Sequence, residues 1–506
     1  MLRIVDDLLN RITMYRLLLY YLLALWGAAV LFSAAGILPY NPVYLVASAG
    51  FLAAVSWLFN RVVALIWKVP VNAESSLITA LILALIINPD KPSESFFFLI
   101  AVALIALASK YILAVRGKHI FNPAALGVVV AALFLDQSAT WWVGGNLPML
   151  PIVLIGGILV VRKLRHADLV VAFFCSALVS TLLPVVISGG PILPALTTAL
   201  IRGPLFFFAF VMLTEPQTTP PRRLGRIFYG ALVGFFFAPW VHIFSVYFTP
   251  ELALALGNVF SYLISPKFKA VLKLKEMREI ASGTYEFVFA GRTPEFSPGQ
   301  YAEWTLASEA SDARGNRRYF TLASSPTEHD VRLGVKFYEK PSTFKKTLAG
   351  FTPGSTVLAG SIAGDFTLPR DKNQKLVFIA GGIGVTPFRS MVKYLLDSRE
   401  VRDAVLFYSN KTEVEIAYKD LFDEAAASSN RFRVVYTLTD KATPSSWTGE
   451  RGYVDAAMIE REVPDYKERT FYISGPHTMV TAFRDTLRQM DIPRRNIKTD
   501  YFPGFA

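Results

Sequence analysis

Leu376-Val-Phe-Ile-Ala-Gly-Gly-Ile-Gly-Val-Thr-Pro387 decides how the second half of this chain folds. The apolar run Leu376 to Ala380 is too short for a helix and reads as a buried strand. Gly381, Gly382 and Gly384 then let the backbone turn tightly, and a helix near 389–396 follows. A strand, a glycine turn and a helix in that order can cradle a pyrophosphate. Bare backbone approaches the ligand, and the helix N-terminus offers amide donors and positive dipole. By itself such a turn is also an ordinary strand-to-helix connection. Outward from it, Val405–Tyr408, Phe432–Tyr436 and Thr470–Ile473 are further short apolar runs with helical stretches between them. Residues 371–506 are therefore expected to form an α/β domain on a parallel sheet, with a nucleotide at the carboxyl ends of the strands.

Upstream, 266–370 alternates as short antiparallel strands do: 268–274, 285–289, 301–305 and 331–337. Ser297-Pro-Gly299 and Thr352-Pro-Gly354 divide them, and a small β-barrel is the expectation. Five motifs run in order through both segments: Phe296-Ser-Pro-Gly-Gln300, Arg318-Tyr-Phe-Thr-Leu-Ala-Ser-Ser-Pro326, Tyr338-Glu-Lys-Pro-Ser-Thr343, Gly381–Pro387 and Ser474-Gly-Pro476.

This series resembles the flavin-plus-nicotinamide module of the ferredoxin–NADP reductase family. The resemblance implies FAD and NAD(P)H as cofactors. It places Arg318 on the flavin pyrophosphate, where a guanidinium fork suits phosphate oxygens. It stacks the aromatic of Tyr319-Phe320 on the isoalloxazine and sets the Thr321 hydroxyl near the reactive nitrogen. Phe320 stands where the family has tyrosine, which keeps the ring and drops a hydroxyl. Ser342 and Thr343 are either the pair that meets flavin phosphate or an ordinary helix cap. Gly381, Gly382, Gly384, Thr386 and Pro387 are implied to hold the nicotinamide nucleotide. Ser474, Gly475 and Pro476 occupy the family's Cys-Gly-Pro position beside the nicotinamide ring. Thr321 and Ser474 are the implied catalytic pair. The terminal Thr499-Asp-Tyr-Phe-Pro-Gly-Phe505 resembles the family's closing aromatic, with Tyr501, Phe502 and Phe505 as candidates to shield the flavin. Ser409, Asn410 and Lys411 end a strand where a 2′-phosphate would sit and lean toward NADPH.

The first half is of another kind. A chain of 506 residues exceeds one core, and its apolar residues crowd into 15–264. About ten spans are expected, near 15–38, 43–67, 76–89, 95–114, 123–136, 148–161, 169–187, 203–214, 226–247 and 251–264. The first reads as an anchor rather than a cleaved leader. The domains are then 1–265 transmembrane, 266–370 FAD-binding barrel and 371–506 NAD(P)-binding α/β. The net charge of +12 lies largely in short loops between spans, a membrane-orientation pattern rather than a nucleic-acid one. Arg61, Arg116, Arg162, Arg165, Arg222, Arg223 and Lys267 alternate onto the side of Arg3 and Arg11. That side is expected to be the cytoplasm, with N-terminus and reductase module on the same face of an inner (plasma) membrane. The single cysteine, Cys175, excludes disulfides and Cys-ligated clusters within the chain, and no metal site is expected.

Three polar stretches interrupt the apolar half: Glu74-Ser-Ser-Leu-Ile-Thr79, His119-Ile-Phe-Asn-Pro-Ala124 and Met212-Leu-Thr-Glu-Pro216. They are either helix punctuation or broken helices around a site, with Glu74 and Glu215 as candidates. In that order they resemble the family shared by the D subunit of the Rnf electron-transport complex and the B subunit of the sodium-translocating NADH:quinone reductase. That family carries flavin mononucleotide (FMN) on threonine in a Ser-Gly-Ala-Thr-type segment, which this chain lacks. The corresponding loop, 188–198, has Thr197 and Thr198 as substitutes.

The expected function is membrane-integral transfer of electrons from NAD(P)H through FAD to an acceptor in or near the bilayer: a second flavin, a quinone or a ferredoxin-like carrier. Other electron-transport subunits are the implied partners. Rivals are an ion-motive pump subunit of an Rnf-like complex and a non-enzymatic scaffold. A haem-bearing bundle is excluded. Of five histidines only His242 is expected well within a span, so facing pairs cannot form.

Overall fold

The computed structural model describes residues 5, 8–9, 12–67, 73–89, 92–115, 118–265, 269–291, 295–306, 316–339 and 341–502, without the side chains of 64–67, 73, 92–95, 115, 118, 269 and 501–502. The chain divides into two compact units, Met1–Lys267 and Phe268–Ala506.

The first unit is helical: α1 (Met14–Ala34), α2 (Pro42–Trp67), α3 (Ala73–Ile86), α4 (Pro92–Ile112), the strand pair β1 (Ala114–Val115) and β2 (Lys118–His119), and α5 (Pro123–Leu135). There follow α6 (Leu150–Leu164), α7 (Ala167–Ile187), α8 (Ile192–Thr197), α9 (Leu205–Phe207), α10 (Arg223–Phe236), the pair β3 (His242–Ile243) and β4 (Val246–Tyr247), and α11 (Pro250–Ile264). Helices α8 and α9 continue as π-helical turns through Arg202 and Met212. Among the described residues four helices are long and apolar enough to cross a membrane: Met14–Ala34, Pro42–Val63, Leu147–Leu164 and Ala167–Ile187. A fifth results if the bent pair Ile192–Arg202 and Leu205–Met212 is one span. The expected ten are thus four or five by length, with four shorter apolar helices beside them.

Three expectations change. The stretch 188–202 reads as a loop in sequence, but most of it is helix, broken by 55° before Leu205. Gly203-Pro204 causes the break, because proline has no N–H to continue the ladder. The span expected over 226–247 stops at Phe236, ahead of Pro239, and the β3–β4 hairpin follows. His242 therefore lies in a strand, outside any helix.

Close approach holds this unit together. On α10, Gly230 and Gly234 lie where an added Cβ would stand 2.5 Å from the Leu169 and Phe173 carbonyl oxygens of α7. Small residues at this spacing let helix backbones touch. Ser176 and Ser180 hydroxyls bond across the same joint to the Ala231 and Phe235 carbonyls, 2.7 and 3.0 Å. Helix α5 starts on an Asn122 cap with Pro123 behind it, and α11 on a Thr249 cap with Pro250.

The second unit begins with an antiparallel sheet in the order β8-β7-β10-β5-β6-β9. Its members are β5 (Lys269–Ala281), β6 (Thr284–Ala290), β7 (Tyr301–Thr305), β8 (Arg317–Thr321), β9 (Val331–Lys336) and β10 (Thr356–Ala363), with α12 (Thr343–Ala349) before the last. Flat, six strands at about 4.8 Å spacing would hold the outer two about 24 Å apart. Yet Ala323 N, just past β8, donates to Arg332 O in β9 at 3.0 Å. The sheet therefore curls around the core of Phe287, Phe289, Trp304 and Leu333, though no ladder joins β8 to β9.

A wholly parallel sheet follows, β14-β13-β12-β11-β15-β16. It comprises β11 (Leu376–Gly381), β12 (Ala404–Asn410), β13 (Phe432–Leu438), β14 (Glu450–Arg451), β15 (Thr470–Pro476) and β16 (Ile497–Phe502). Helices α13 (Thr386–Asp397), α14 (Lys419–Ser428), α15 (Ala456–Glu462) and α16 (His477–Gln489) connect them. Leu376, Phe378 and Ala380 face one core and Val377 and Ile379 the other, so β11 is covered on both sides. That double burial is why its sequence is apolar without alternation.

Candidate functional site

Two clusters form in the second unit. In the first, β8 carries Arg318 buried, Tyr319 exposed and Thr321 buried. Arg318 and Phe320, two residues apart on one face, both meet Phe344 at the start of α12. The guanidinium lies 5.3 Å from that ring centre and the Phe320 ring 5.7 Å. Tyr319 turns the other way, its hydroxyl bonded to Glu303 at 2.8 Å. Ser342 caps α12, accepting from Lys345 N at 3.4 Å, and Thr343 is the first helical residue. Strand and cap are thus brought together from positions some twenty-four residues apart.

In the second cluster β11 ends at Gly381, a tight turn spans Gly382–Val385, and Thr386 and Pro387 open α13. Gly382 has φ +52°, the left-handed region, with open space where a side chain would stand. Gly384 is different. An added Cβ would lie 2.5 Å from both Ser474 O and Gly475 Cα, so the turn packs backbone to backbone on the end of β15. The parallel pairing of Ala380 with Ser474 brings these segments together. Pro476 is exposed and pairs with Phe502 along β15 and β16. The Phe502 side chain and all of Phe505 lie outside the described residues, as does the side chain of Tyr501.

Two buried hydroxyl groups lie in these clusters. Thr321 Oγ1 and Ser474 Oγ are enclosed and find no hydrogen-bond partner among the described residues. Buried polar groups are seldom left so, and a polar ligand would satisfy them. No three His, Cys, Asp or Glu side chains converge as a metal site among the described residues.

A charged joint has no signature in the sequence. Arg389 of α13 grips Glu328 with both terminal guanidinium nitrogens and donates to Ala323 O at 3.0 Å. Ser390 Oγ reaches Ser324 O at 2.7 Å. Burial alone would raise the Glu328 carboxyl, but Arg389, the Ser325 N–H and Arg332 outweigh it and hold it below the usual carboxylate range. Its stabilising contribution is therefore present at neutral pH and lost as pH falls through that lowered value. Glu328→Ala leaves Arg389 buried without its partner and is expected to destabilise this unit by about 3–5 kcal/mol. Denaturant unfolding of the purified chain measures it.

In the first unit two of the three polar stretches converge. His119 Nε2 lies 3.4 Å from Glu215. Asn122 caps α5, its N–H donates to Asn258 Oδ1 at 2.8 Å and its amide to Met212 O at 3.3 Å. Asn258 in turn donates to the Tyr229 hydroxyl at 2.9 Å. Asn122 is thus both punctuation and cross-link. Glu74 pairs with Arg16 at 3.0 Å, apart from this group. Thr197 is helical, its hydroxyl bonded back to Leu193 O at 2.8 Å.

Residues 378–485 match the model of the oxidoreductase NAD-binding domain, and 144–270 match that of the NQR2, RnfD, RnfE family. The flavohemoprotein of Oceanobacillus iheyensis is 28% identical over 243 residues, 46% of this chain and 58% of that protein. The F subunit of the Na(+)-translocating NADH-quinone reductase of Yersinia pestis is 27% identical over 200 residues, 37% of this chain and 49% of that one. The chain spans about half the length of these curated relatives. A solved cytochrome P450 reductase from Amycolatopsis covers 46% of this chain and 70% of its own at 24% identity, with a TM-score of 0.41. Both resemblances drawn from the motifs stand. The chain joins a segment similar to the NQR2, RnfD and RnfE proteins to one that matches the oxidoreductase NAD-binding domain.

Proposed function

We propose that this chain is a membrane-integral oxidoreductase that takes hydride from NAD(P)H at an FAD site and delivers electrons singly to an acceptor in or near the bilayer. One observation carries the reading. Two partnerless buried hydroxyls, Thr321 at the end of β8 and Ser474 two residues before the end of β15, lie with Arg318 and a bare glycine turn in the respective clusters. These residues fit the two cofactors. Bound flavin supplies the conversion of a two-electron donor into one-electron steps.

Arg318 would hold the flavin pyrophosphate, with Ser342 and Thr343 at the adjoining cap. Phe320, on the Arg318 face of β8, would stack on the ring system, with Tyr319 beside it on the other face, and Thr321 would donate to the ring. Gly381, Gly382 and Gly384 would admit the nicotinamide pyrophosphate to bare backbone, with Thr386 and Pro387 opening the helix behind it. Ser474, Gly475 and Pro476 would orient the dihydronicotinamide carboxamide, and Phe502 or Phe505 would exclude water from the flavin's far face. Ser409, which pairs with Gly381, and Lys411 favour NADPH.

On this reading 1–265 is the transmembrane domain, 266–370 the FAD barrel and 371–506 the NAD(P) domain. About ten crossings would include the shorter helices as tilted or broken spans. They would leave the N-terminus and the module in the cytoplasm of a plasma-membrane protein. The charge of two stretches supports this topology. Ala114 to His119 contains Arg116 and Lys118, whereas Ile227 to Pro250, around β3–β4, has no acidic or basic side chain except His242. The acceptor would be a second flavin, a quinone or a ferredoxin-like carrier, with further electron-transport subunits as partners. A second flavin, FMN on Thr197 or Thr198, belongs to the same proposal.

The purified chain is expected to be yellow and to bleach under anaerobic NADH or NADPH, with one extractable FAD per chain. A colourless protein would instead be the scaffold.

A further inference from the structure

Strand β9 reads Val331-Arg-Leu-Gly-Val-Lys336, and its period of two sorts it. Val331, Leu333 and Val335 are buried in the core of the curled sheet. Arg332, Gly334 and Lys336 form the outward row, and outside that sheet the Arg332 and Lys336 side chains meet the nucleotide side or its joint. Arg332 reaches Glu328, itself gripped by Arg389, at 3.0 Å. Lys336 reaches Glu415, between β12 and α14, at 2.6 Å.

Between them Gly334 offers bare backbone. A Cβ there would stand 2.8 Å from Thr386 Cγ2, 2.9 Å from the Tyr418 hydroxyl and 3.4 Å from Ile383 Cδ1. Ile383 and Thr386 belong to the glycine turn and the helix start it feeds. Tyr418 is held there by an unusual backbone, φ +58°, a conformation costly for a residue with a ring. Its ring lies under the Arg389 guanidinium at 5.6 Å. Its hydroxyl is buried beside the Glu286 carboxyl of β6. Such strain persists only where packing over-determines it.

We propose that Gly334 is a positioning residue. Its missing side chain, with Tyr418 and the Glu328–Arg389 clamp as supports, sets how closely the nicotinamide turn approaches the flavin-bearing sheet. The inference rests on the function proposed above. A methyl group at this position would push Ile383 and Thr386 outward while leaving the flavin cluster at β8 and α12 in place. Hydride transfer would suffer and flavin retention would not.

The test uses the full chain purified with its flavin. Gly334→Ala should retain FAD and bind oxidised nucleotide in calorimetry within about threefold of the parent. Its single-turnover bleaching should slow by about tenfold or more, since sub-ångström misplacement is costly to the reacting geometry. Hydrogen exchange should quicken together at 331–336 and 383–392. That readout is independent of turnover. Adding Tyr418→Phe deletes the hydroxyl 2.9 Å from the new methyl group and should recover part of the lost rate. Tyr418→Leu, which removes the phenol without adding bulk at Gly334, should slow transfer as well. Parent-like rates in Gly334→Ala or Tyr418→Leu would overturn the proposal, and so would a flavin-replete Gly334→Ala, Tyr418→Phe double variant no faster than Gly334→Ala. A parent protein that holds no flavin or bleaches with neither nucleotide would instead sink the underlying function.

Discussion

Arg318→Ala should purify pale, with FAD affinity lowered by about 100-fold or more. The side chain is 8% exposed and its guanidinium rests on the Phe344 ring at the mouth of α12. A charge-assisted hydrogen bond is worth about 1.5–3 kcal/mol, and a forked arginine makes two of them to a phosphate. Alanine removes both and opens a gap against Phe344. Arg318→Lys keeps the charge but not the fork, and should lie between the two. Flavin extracted per chain, with titration of FAD into the stripped protein, measures the series. Stoichiometric FAD in Arg318→Ala would mean that the phosphates are held elsewhere, and the flavin side of the site would have to be redrawn.

Gly384→Ala is the second large effect, and it should spare the flavin. The new Cβ would stand 2.5 Å from Ser474 O and Gly475 Cα, which are backbone atoms that cannot rotate away. The ends of β11 and β15 would have to separate. Nucleotide-driven bleaching should fall by about 100-fold or more, as expected when a positioning element is displaced by about an ångström. Gly382→Ala is the contrast. Space is open there, and only the left-handed φ of +52° is strained, at about 1–2 kcal/mol. It should lower stability and raise the nucleotide concentration that bleaching requires, while leaving the ends of β11 and β15 together. If Gly384→Ala bleached at the parent rate, the glycine turn would not be where the nucleotide binds.

These two sites differ in how visible they are in the sequence. The apolar run before Gly381, the glycines and the helix after them are neighbours in sequence, and local rules suffice for them. The β7 and β9 alternations are legible for the same reason. Strand β8 shows itself as a motif rather than as a strand, and β10, with Gly360 and Ser361 inside it, does not show itself at all. In the apolar half, hydrophobicity locates helices but not their breaks. Gly203-Pro204 looks like the edge of a span, yet it bends a helix where a loop is expected.

Composition and periodicity by themselves determined that one half of this chain is apolar helix and the other a strand-rich module with a glycine turn. Both signals repeat within a few residues and need no partner. Tertiary structure alone decided which charges meet. Glu328 and Arg389 are 61 residues apart and His119 and Glu215 are 96 apart, and no spacing rule spans such gaps. It also decided that Gly334 is a seat rather than a weak point in a strand. The reason is physical. A bare backbone acquires meaning only from what packs against it, and what packs there arrives by way of a parallel sheet built from the chain's last third.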